Sequence, residues 1–454
     1  MTILRYKKGR EFWKKLTTGS PNRQILGAAL IVAIGTALVK LAALAKELAV
    51  AWKFGTADAL DAFLIALVIP SFIVSVVANS FNVALIPTYI KVREQEGISV
   101  AQRLFSGATV WSLGLLGITT IAMVMTAPLY LPWIAGGFSD EKLDLTFKLL
   151  CAIAPMVLLS GMLTIWGAIL NAGERFALAA ISPIITPAIT IILLLLANSW
   201  GVFALAAGLV FGQMLEIVIL GVALKKQHIS LMPKWYGFDT HLRQVANQYA
   251  PMIAGGFLMC SASLVDQAMA AQLPSGSVAA LNYGNRVIAL PITMTTTALS
   301  TAVIPYFSKM VACADWTGIR HTLRRYLFLI FLITVPLAAF FYLGSEKIVE
   351  FMFQRGTFSS KDTIIVAQIQ GFYALQIPFY VANILLVRLI SALQANHILM
   401  WGAVINLIVN IVLNYIFIKT LGISGIALST SFLYVICFSF TSYWCFYLLR
   451  RQND

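Results

Sequence analysis

Twelve apolar stretches, each long enough to cross a membrane, constrain this chain more than any other feature of its sequence. A helix of about 20 residues spans the roughly 30 Å hydrocarbon core of a bilayer. The stretches lie near residues 25–52, 59–86, 106–132, 146–170, 177–198, 202–224, 246–271, 278–306, 325–343, 363–392, 399–418 and 424–448. Only 11% of the 454 residues are charged, against about 25% in soluble domains. The sequence therefore predicts an all-α polytopic membrane protein with about 12 transmembrane helices.

The net charge of +14 is placed mostly on one side of these predicted helices. With a cytoplasmic N-terminus, twenty-one Lys and Arg residues fall on the cytoplasmic side and seven on the other. This bias satisfies the positive-inside rule, so we expect both termini in the cytoplasm. The basic charge then sets the topology, and we expect no nucleic-acid partner. The five cysteines show no paired spacing, so neither a disulfide framework nor a metal site is expected.

An internal similarity suggests that the chain is made of two halves. "VALIPTYIK" at 83–91 resembles "TAVIPYFSK" at 301–309, and two further similarities follow in order at separations of 223 and 221 residues. Parallel repeats of this kind usually indicate a transporter with its site between the halves, although shared turn chemistry alone could also explain them. The predicted organisation is a basic tail (1–24), a six-helix bundle (25–226), a cytoplasmic linker (227–245), a second six-helix bundle (246–449) and a short tail (450–454).

Eight charged side chains fall inside the predicted spans, apart from Lys148 and Arg325, which lie at the ends of their spans and are counted with the flanking segments. The eight are Lys40, Lys46, Arg286, Arg388, Glu47, Asp61, Glu216 and Asp266. Lys46 and Arg286 lie at matching depths, one in each half, and cations facing a shared cleft would suit a phosphate or pyrophosphate. Alternatively, Lys46 with Asp61, or Lys40 with Glu47, would only neutralise each other. For Glu216, an interhelical hydrogen bond and a role in transport are both open.

Signals of catalysis are missing from the sequence. It contains neither a G-x-x-x-x-G-K-[ST] phosphate loop nor an H-E-x-x-H zinc motif, and its four histidines lie in or beside loops. We therefore expect neither an enzyme nor an ATP motor, and no cofactor. Coupling to an ion or to the membrane potential is left open.

Three segments carry a resemblance to a known family. They are "LAKELAVAWKFGTADALDAFLIALVIPSF" at 44–72, "LVDQAMAAQLPSGSVAALNYGNRVIALP" at 264–291 and "FMFQRGTFSSKDT" at 351–363. Together they resemble the signatures of the MurJ (MviN) lipid II flippases, within the superfamily of multidrug, oligosaccharidyl-lipid and polysaccharide exporters. The resemblance covers nearly the whole chain and implies the two-bundle fold shared by those exporters.

The resemblance also implies roles for particular residues. It places the family's cavity cations, which would bind substrate, on Lys40, Lys46 and Arg286, and its acids on Glu47 and Asp61. We predict that Glu47, Asp61 and Asp266 are charge partners or gating groups. Three departures from the family pattern stand out. The first span has lysines where the family has arginines, and Val74 replaces a cavity arginine four residues after Pro70. The chain also stops after its twelfth span, whereas family members commonly have fourteen.

The sequence thus predicts a flippase in a bacterial cytoplasmic membrane. Its substrate would be a polyprenyl-pyrophosphate-linked sugar, either lipid II or a related exopolysaccharide or surface-glycan unit, moved by alternating access. Membrane lipids and glycan-assembly enzymes would be its partners. Two alternatives are an ion-coupled exporter of small cationic drugs on the same fold, and a non-transporting member of a glycan-assembly complex.

Overall fold

The computed structural model describes residues 21–173, 176–227, 229, 231 and 234–451. Within them, twelve long helices coincide with the twelve predicted spans, and one short helix, α10, lies between the ninth and tenth. They are α1 Pro21–Phe54, α2 Asp58–Glu96, α3 Ile98–Ile134, α4 Asp140–Asn171, α5 Phe176–Leu196, α6 Phe203–Lys226, α7 Thr240–Ala270, α8 Ser277–Ala312, α9 Trp316–Leu343, α10 Ser345–Phe353, α11 Ser360–Ala392, α12 Asn396–Leu421 and α13 Ile423–Arg451. Most of the predicted N-terminal tail, and residues 452–454, lie outside the described residues.

Helix length and hydropathy confirm the predicted class. Ten of the described helices are long and apolar enough to cross a membrane. The other two long helices, α1 and α8, have 34 and 36 residues, well above the roughly 20 that a span needs. The protein is therefore an all-helical, multi-pass membrane protein.

Several of these helices are interrupted near a proline. α2 contains a π-helical turn, Val74–Ala78, four residues after Pro70. α5 contains a 3₁₀ turn, Ser182–Ile184, with a proline at its centre. Proline removes a backbone donor and clashes with the preceding turn, and π turns are frequent at functional sites.

Contacts between Cα atoms divide the chain into two compact units. Unit 1 comprises the described parts of Met1–Ala49, Ile73–Met125 and Leu149–Ile253, and unit 2 comprises those of Val50–Phe72, Thr126–Lys148 and Ala254–Asp454. The boundaries fall inside α1, α2, α3, α4 and α7. In α2 the boundary adjoins the π turn, and in α7 it lies two residues after Pro251. The predicted sequence halves, 25–226 and 246–449, stay a prediction.

Each unit has its own core of aromatic side chains. In unit 1, Phe81 packs edge to face against Trp111 and Tyr249, with ring centroids 5.5 and 5.6 Å away. In unit 2, Tyr283 lies 5.2 Å from the Phe353 ring and 5.6 Å from the Phe358 ring. Such pairs add about 0.5–1.5 kcal/mol beyond the burial of their area.

Candidate functional site

The carboxylate of Asp61 occupies the start of α8. Its side chain is 1% exposed, and it accepts the backbone N–H of Gly276 at 2.7 Å and that of Ala279 at 2.8 Å. α8 begins at Ser277, so both donors belong to the turn whose N–H groups have no partner within the helix. A negative charge there is also favoured by the helix dipole. Asp61, which belongs to α2, therefore caps α8.

Lys142 completes this arrangement from α4. Its ammonium lies 3.1 Å from Asp61 Oδ2 and also bonds to Asp58. The Lys142 side chain is 10% exposed, whereas that of Asp58 is 62% exposed. The pair with Asp61 is therefore shielded from solvent, while the one with Asp58 faces it and contributes little. We call Asp61, Lys142 and the first turn of α8 the Asp61 junction; all of it lies in unit 2.

A second set of contacts in unit 2 ties the turn after α1 to the loop before α11. Thr357 donates its backbone N–H to the Trp52 carbonyl at 3.0 Å. The Thr56 hydroxyl donates to the carboxylate of Asp362, and the Tyr283 hydroxyl donates to the Gly55 carbonyl at 3.0 Å. Parts of all three segments that carry the family resemblance thus meet in one place.

Two glycines allow this close approach. Gly276 has a φ of +85°, and a Cβ built on it would lie 2.6 Å from the Thr56 carbonyl oxygen. Gly356 has a φ of +64°, and its Cβ would lie 2.2 Å from the Trp52 carbonyl oxygen. Any other L residue would be strained at these dihedral angles and would push the backbones apart.

The three predicted substrate cations are distributed over both units. In unit 1, Lys40 is exposed on α1, and the Lys46 ammonium pairs with the Glu47 carboxylate at 3.0 Å. In unit 2, Arg286 is exposed on α8. Glu47 and Arg286 make further interactions as well. The binding role assigned to the three cations stays a prediction.

Asp266 connects α7 to α12 inside unit 2. It accepts hydrogen bonds from the side-chain amides of Asn410 at 3.0 Å and Asn414 at 2.6 Å. Both asparagines are completely buried. They lie four residues apart and hence on one helical face. Two asparagines four residues apart within an apolar span were visible in the sequence, but the sequence predictions did not use them.

Val74 opens the π turn of α2 and is half-buried. The position that carries a cavity arginine in the family pattern is thus the first residue of a local distortion. A valine there can donate no hydrogen bond to an anion.

Comparison with known proteins decides the family. A family model described as "Lipid II flippase MurJ" matches residues 50–452. This chain belongs to the MurJ family. A probable lipid II flippase MurJ from Synechocystis sp. is 27% identical over 431 residues, which cover 91% of this chain and 80% of the relative. The corresponding protein of Thermotoga maritima is 25% identical over 414 residues, covering 90% of this chain and 83% of that one.

Solved structures confirm the predicted fold. A lipid II flippase MurJ in an inward closed conformation has a TM-score of 0.78 at 24% identity, covering 91% of this chain and 87% of that one. An inward-facing multidrug transporter of the MATE family has a TM-score of 0.77 at 14% identity, covering 94% of this chain and 99% of that one. At such identities the likeness shows the fold alone, and the multidrug transporter says nothing about the substrate of this chain.

Proposed function

We propose that this protein is a flippase that moves a polyprenyl-pyrophosphate-linked glycan across the bacterial cytoplasmic membrane by alternating access. The match of the MurJ family model to residues 50–452 carries the proposal. The relatives' names supply lipid II as the reference substrate. The protein acts as a transporter, so its charged side chains bind and release substrate and catalyse no bond cleavage.

The Asp61 junction is the proposed gate. It joins Asp61 of α2, in the sequence-predicted first half, to the start of α8, in the second half. Alternating access requires the two halves to separate on one side, and there the carboxylate and the helix terminus would both regain water. Each hydrogen bond to a charged group has a net value of about 1.5–3 kcal/mol. The gate would be firm when closed and still able to open thermally.

The proposed anion site consists of Lys40, Lys46 and Arg286. Ammonium and guanidinium groups bind pyrophosphate oxygens by charge and by donated hydrogen bonds. Glu47 holds Lys46 at 3.0 Å, so the arriving pyrophosphate would compete with this carboxylate for the lysine. When the cavity changes shape, Glu47 would recapture the ammonium and help to release the product.

We further propose that the glycan is related to lipid II but distinct from it. Val74 supports this, since it stands where the family pattern has an arginine. Losing one hydrogen bond to a charged group would weaken phosphate binding by about 1.5–3 kcal/mol. A chain adapted to lipid II would be expected to retain that contact.

Deleting the gene in its own host tests both the flippase assignment and the proposed substrate. We expect a polyprenyl-pyrophosphate-linked glycan other than lipid II to accumulate on the cytoplasmic side, measured by mass spectrometry of extracted lipids. Accumulation of lipid II would contradict the proposed substrate and leave the flippase assignment unchanged. If no lipid-linked glycan accumulated, and the host carried no second copy of the gene, the flippase assignment itself would fall.

Variants of the cations give a matched test in the same host. Lys46→Ala and Arg286→Ala should abolish rescue of the deletion at normal protein abundance. Lys148→Ala is the control, because this lysine is 62% exposed and pairs with Asp144 at the surface. Full rescue by the Lys46→Ala/Arg286→Ala double variant would refute the pyrophosphate role.

A further inference from the structure

Glu216 is a buried acid on α6, in unit 1. It is 5% exposed, and its helix α6 packs against α4 and α5. Among the described residues 155–173 and 176–224, Glu216 is the only side chain that can ionise. The nearest charges along α6 are the exposed Lys225 and Lys226, more than two turns away.

α5 and α6 pack closely together near Glu216. A Cβ built on Gly212 would lie 2.6 Å from the Thr186 Cα, and one on Gly208 would lie 2.6 Å from the Thr190 Cα. α5 and α6 therefore approach to backbone contact one to two turns from Glu216. Small residues of this kind are typical of tightly packed membrane helices.

One described hydrogen bond reaches the Glu216 carboxylate. The Ser182 hydroxyl, in the 3₁₀ turn of α5, donates to Oε1 at 2.8 Å, and Ser182 is 4% exposed. Within the described residues, no Lys, Arg or His nitrogen forms an ion pair with Glu216. A single neutral donor does not offset the burial of a full charge in a membrane. This site therefore accommodates the protonated form.

Unsatisfied acceptors beside Glu216 lead to the same conclusion. Gln213 lies one turn earlier on the same face of α6 and is 9% exposed. Its amide donates to the Ser160 hydroxyl at 2.9 Å, but its Oε1 is buried without a hydrogen-bond partner among the described atoms. The Thr186 hydroxyl, one turn beyond Ser182 on α5, is also buried without one. A protonated carboxyl can donate a hydrogen bond, and the amide oxygen of Gln213 has no described donor.

We propose that Glu216 is a proton-binding site inside unit 1. A proton from water would bond to the free carboxylate oxygen, giving a neutral acid that donates toward Gln213 and accepts from Ser182. The proton would return to water when the 3₁₀ turn of α5 moves and opens the contact. This site goes beyond the proposed flippase function, and its residues are separate from the predicted pyrophosphate site.

No described ion pair joins Glu216 to a charged group of the helices beside α5 and α6. α1 approaches α5 where a Cβ on Gly35 would lie 3.0 Å from the Ala180 Cβ. The described charges of α1 beyond that point include the exposed Lys40 and the Lys46–Glu47 pair. α4 contributes no ionisable group from residue 155 onward.

Infrared spectroscopy of the full-length protein in lipid nanodiscs tests the proposal. The wild type should show the carbonyl band of a protonated carboxyl at neutral pH, which bleaches reversibly as the pH is raised. The band should be missing from Glu216→Gln. Asp266→Asn is the control, and the Glu216 band should persist in it.

A second variant keeps Glu216 and tests its local contacts. Ser182→Ala removes a hydrogen bond that is stronger to the ionised form, so the band should bleach at a higher pH than in the wild type. A carboxyl band unchanged in Glu216→Gln would mean that Glu216 is always ionised. A wild-type band that never titrates would make it a fixed structural acid. Either result overturns the proposal.

Discussion

Replacing Asp61 by asparagine should open the Asp61 junction without changing its shape. The carboxylate accepts the Gly276 N–H with one oxygen and the Ala279 N–H with the other. An asparagine amide has one oxygen, so one of these two N–H groups would face an NH₂ group. The ammonium of Lys142, 3.1 Å from Asp61 Oδ2, would lose its shielded counterion and keep only the exposed one, Asp58.

The expected magnitude follows from these losses. A buried N–H without a partner costs about 1–3 kcal/mol, and the surviving hydrogen bond falls from the charged to the neutral range. The loss of charge at the start of α8 removes a further 0.3–1 kcal/mol or so. Because water satisfies these groups in the open state, we expect a net shift of about 2–4 kcal/mol toward opening. That is roughly 30-fold to 700-fold in the equilibrium, at about 1.4 kcal/mol per decade.

Thiol labelling measures this shift. A single cysteine at Ala280, which is 2% exposed, is placed in a cysteine-free background and labelled with a membrane-impermeant reagent in intact cells. Labelling should be much faster with Asp61→Asn than with the parent, and unchanged with the control Lys148→Ala. Equal labelling rates in Asp61→Asn and the parent would show that Asp61 does not hold the junction closed.

Three further outcomes are expected. Gly356→Ala should lower the thermal midpoint of the purified protein, because it forces a Cβ to within 2.2 Å of a backbone oxygen. The control is Gly422→Ala, at a φ of +58° with nothing within 4 Å of its Cβ, which should lower the midpoint far less. Equal losses in the two variants would refute the Gly356 contact. Asn414→Leu should cost about 0.6–1.7 kcal/mol of stability, as for hydrogen bonds between membrane helices, measured by unfolding in detergent. It should add little to Asp266→Ala, and full additivity of the two would contradict the shared hydrogen bond. Lys46→Arg should retain transport, since the charge is kept and hydrogen-bond donors are added, whereas Lys46→Ala should not. If the arginine variant failed to rescue the gene deletion at normal protein abundance, that result would count against an anion site.

The spans could be predicted from sequence because each is a continuous apolar run of sufficient length. The interruptions could not. Nothing in the sequence of Val74–Ala78 itself marks a π turn. The division into compact units also cuts through five helices, each time within a single predicted span.

The candidate site was predictable in its acids and less so in their partners. Asp61 is conspicuous as a carboxylate at the edge of an apolar run. Its partner Lys142 is 81 residues away, in a segment that was predicted to lie between two spans. Its other partners are backbone N–H groups, which no side-chain pattern in the sequence reveals. Asp266 is similar, since its partners are neutral amides of α12 rather than cations. Long-range pairing of this kind depends on tertiary packing.

The most direct test of the account is the movement of lipid between leaflets in liposomes that contain the purified protein. A polyprenyl-pyrophosphate carrying a fluorescent sugar is placed in both leaflets, and a membrane-impermeant reagent destroys the fluorescence outside. With the wild-type protein, the inner pool should become accessible and the signal should approach zero. With the Lys46→Ala/Arg286→Ala variant, a protected inner pool should remain. The decisive lipid carries the glycan that accumulates in the host. If the wild-type protein left a protected pool as large as that in protein-free liposomes, the assignment of this chain as a flippase would be contradicted.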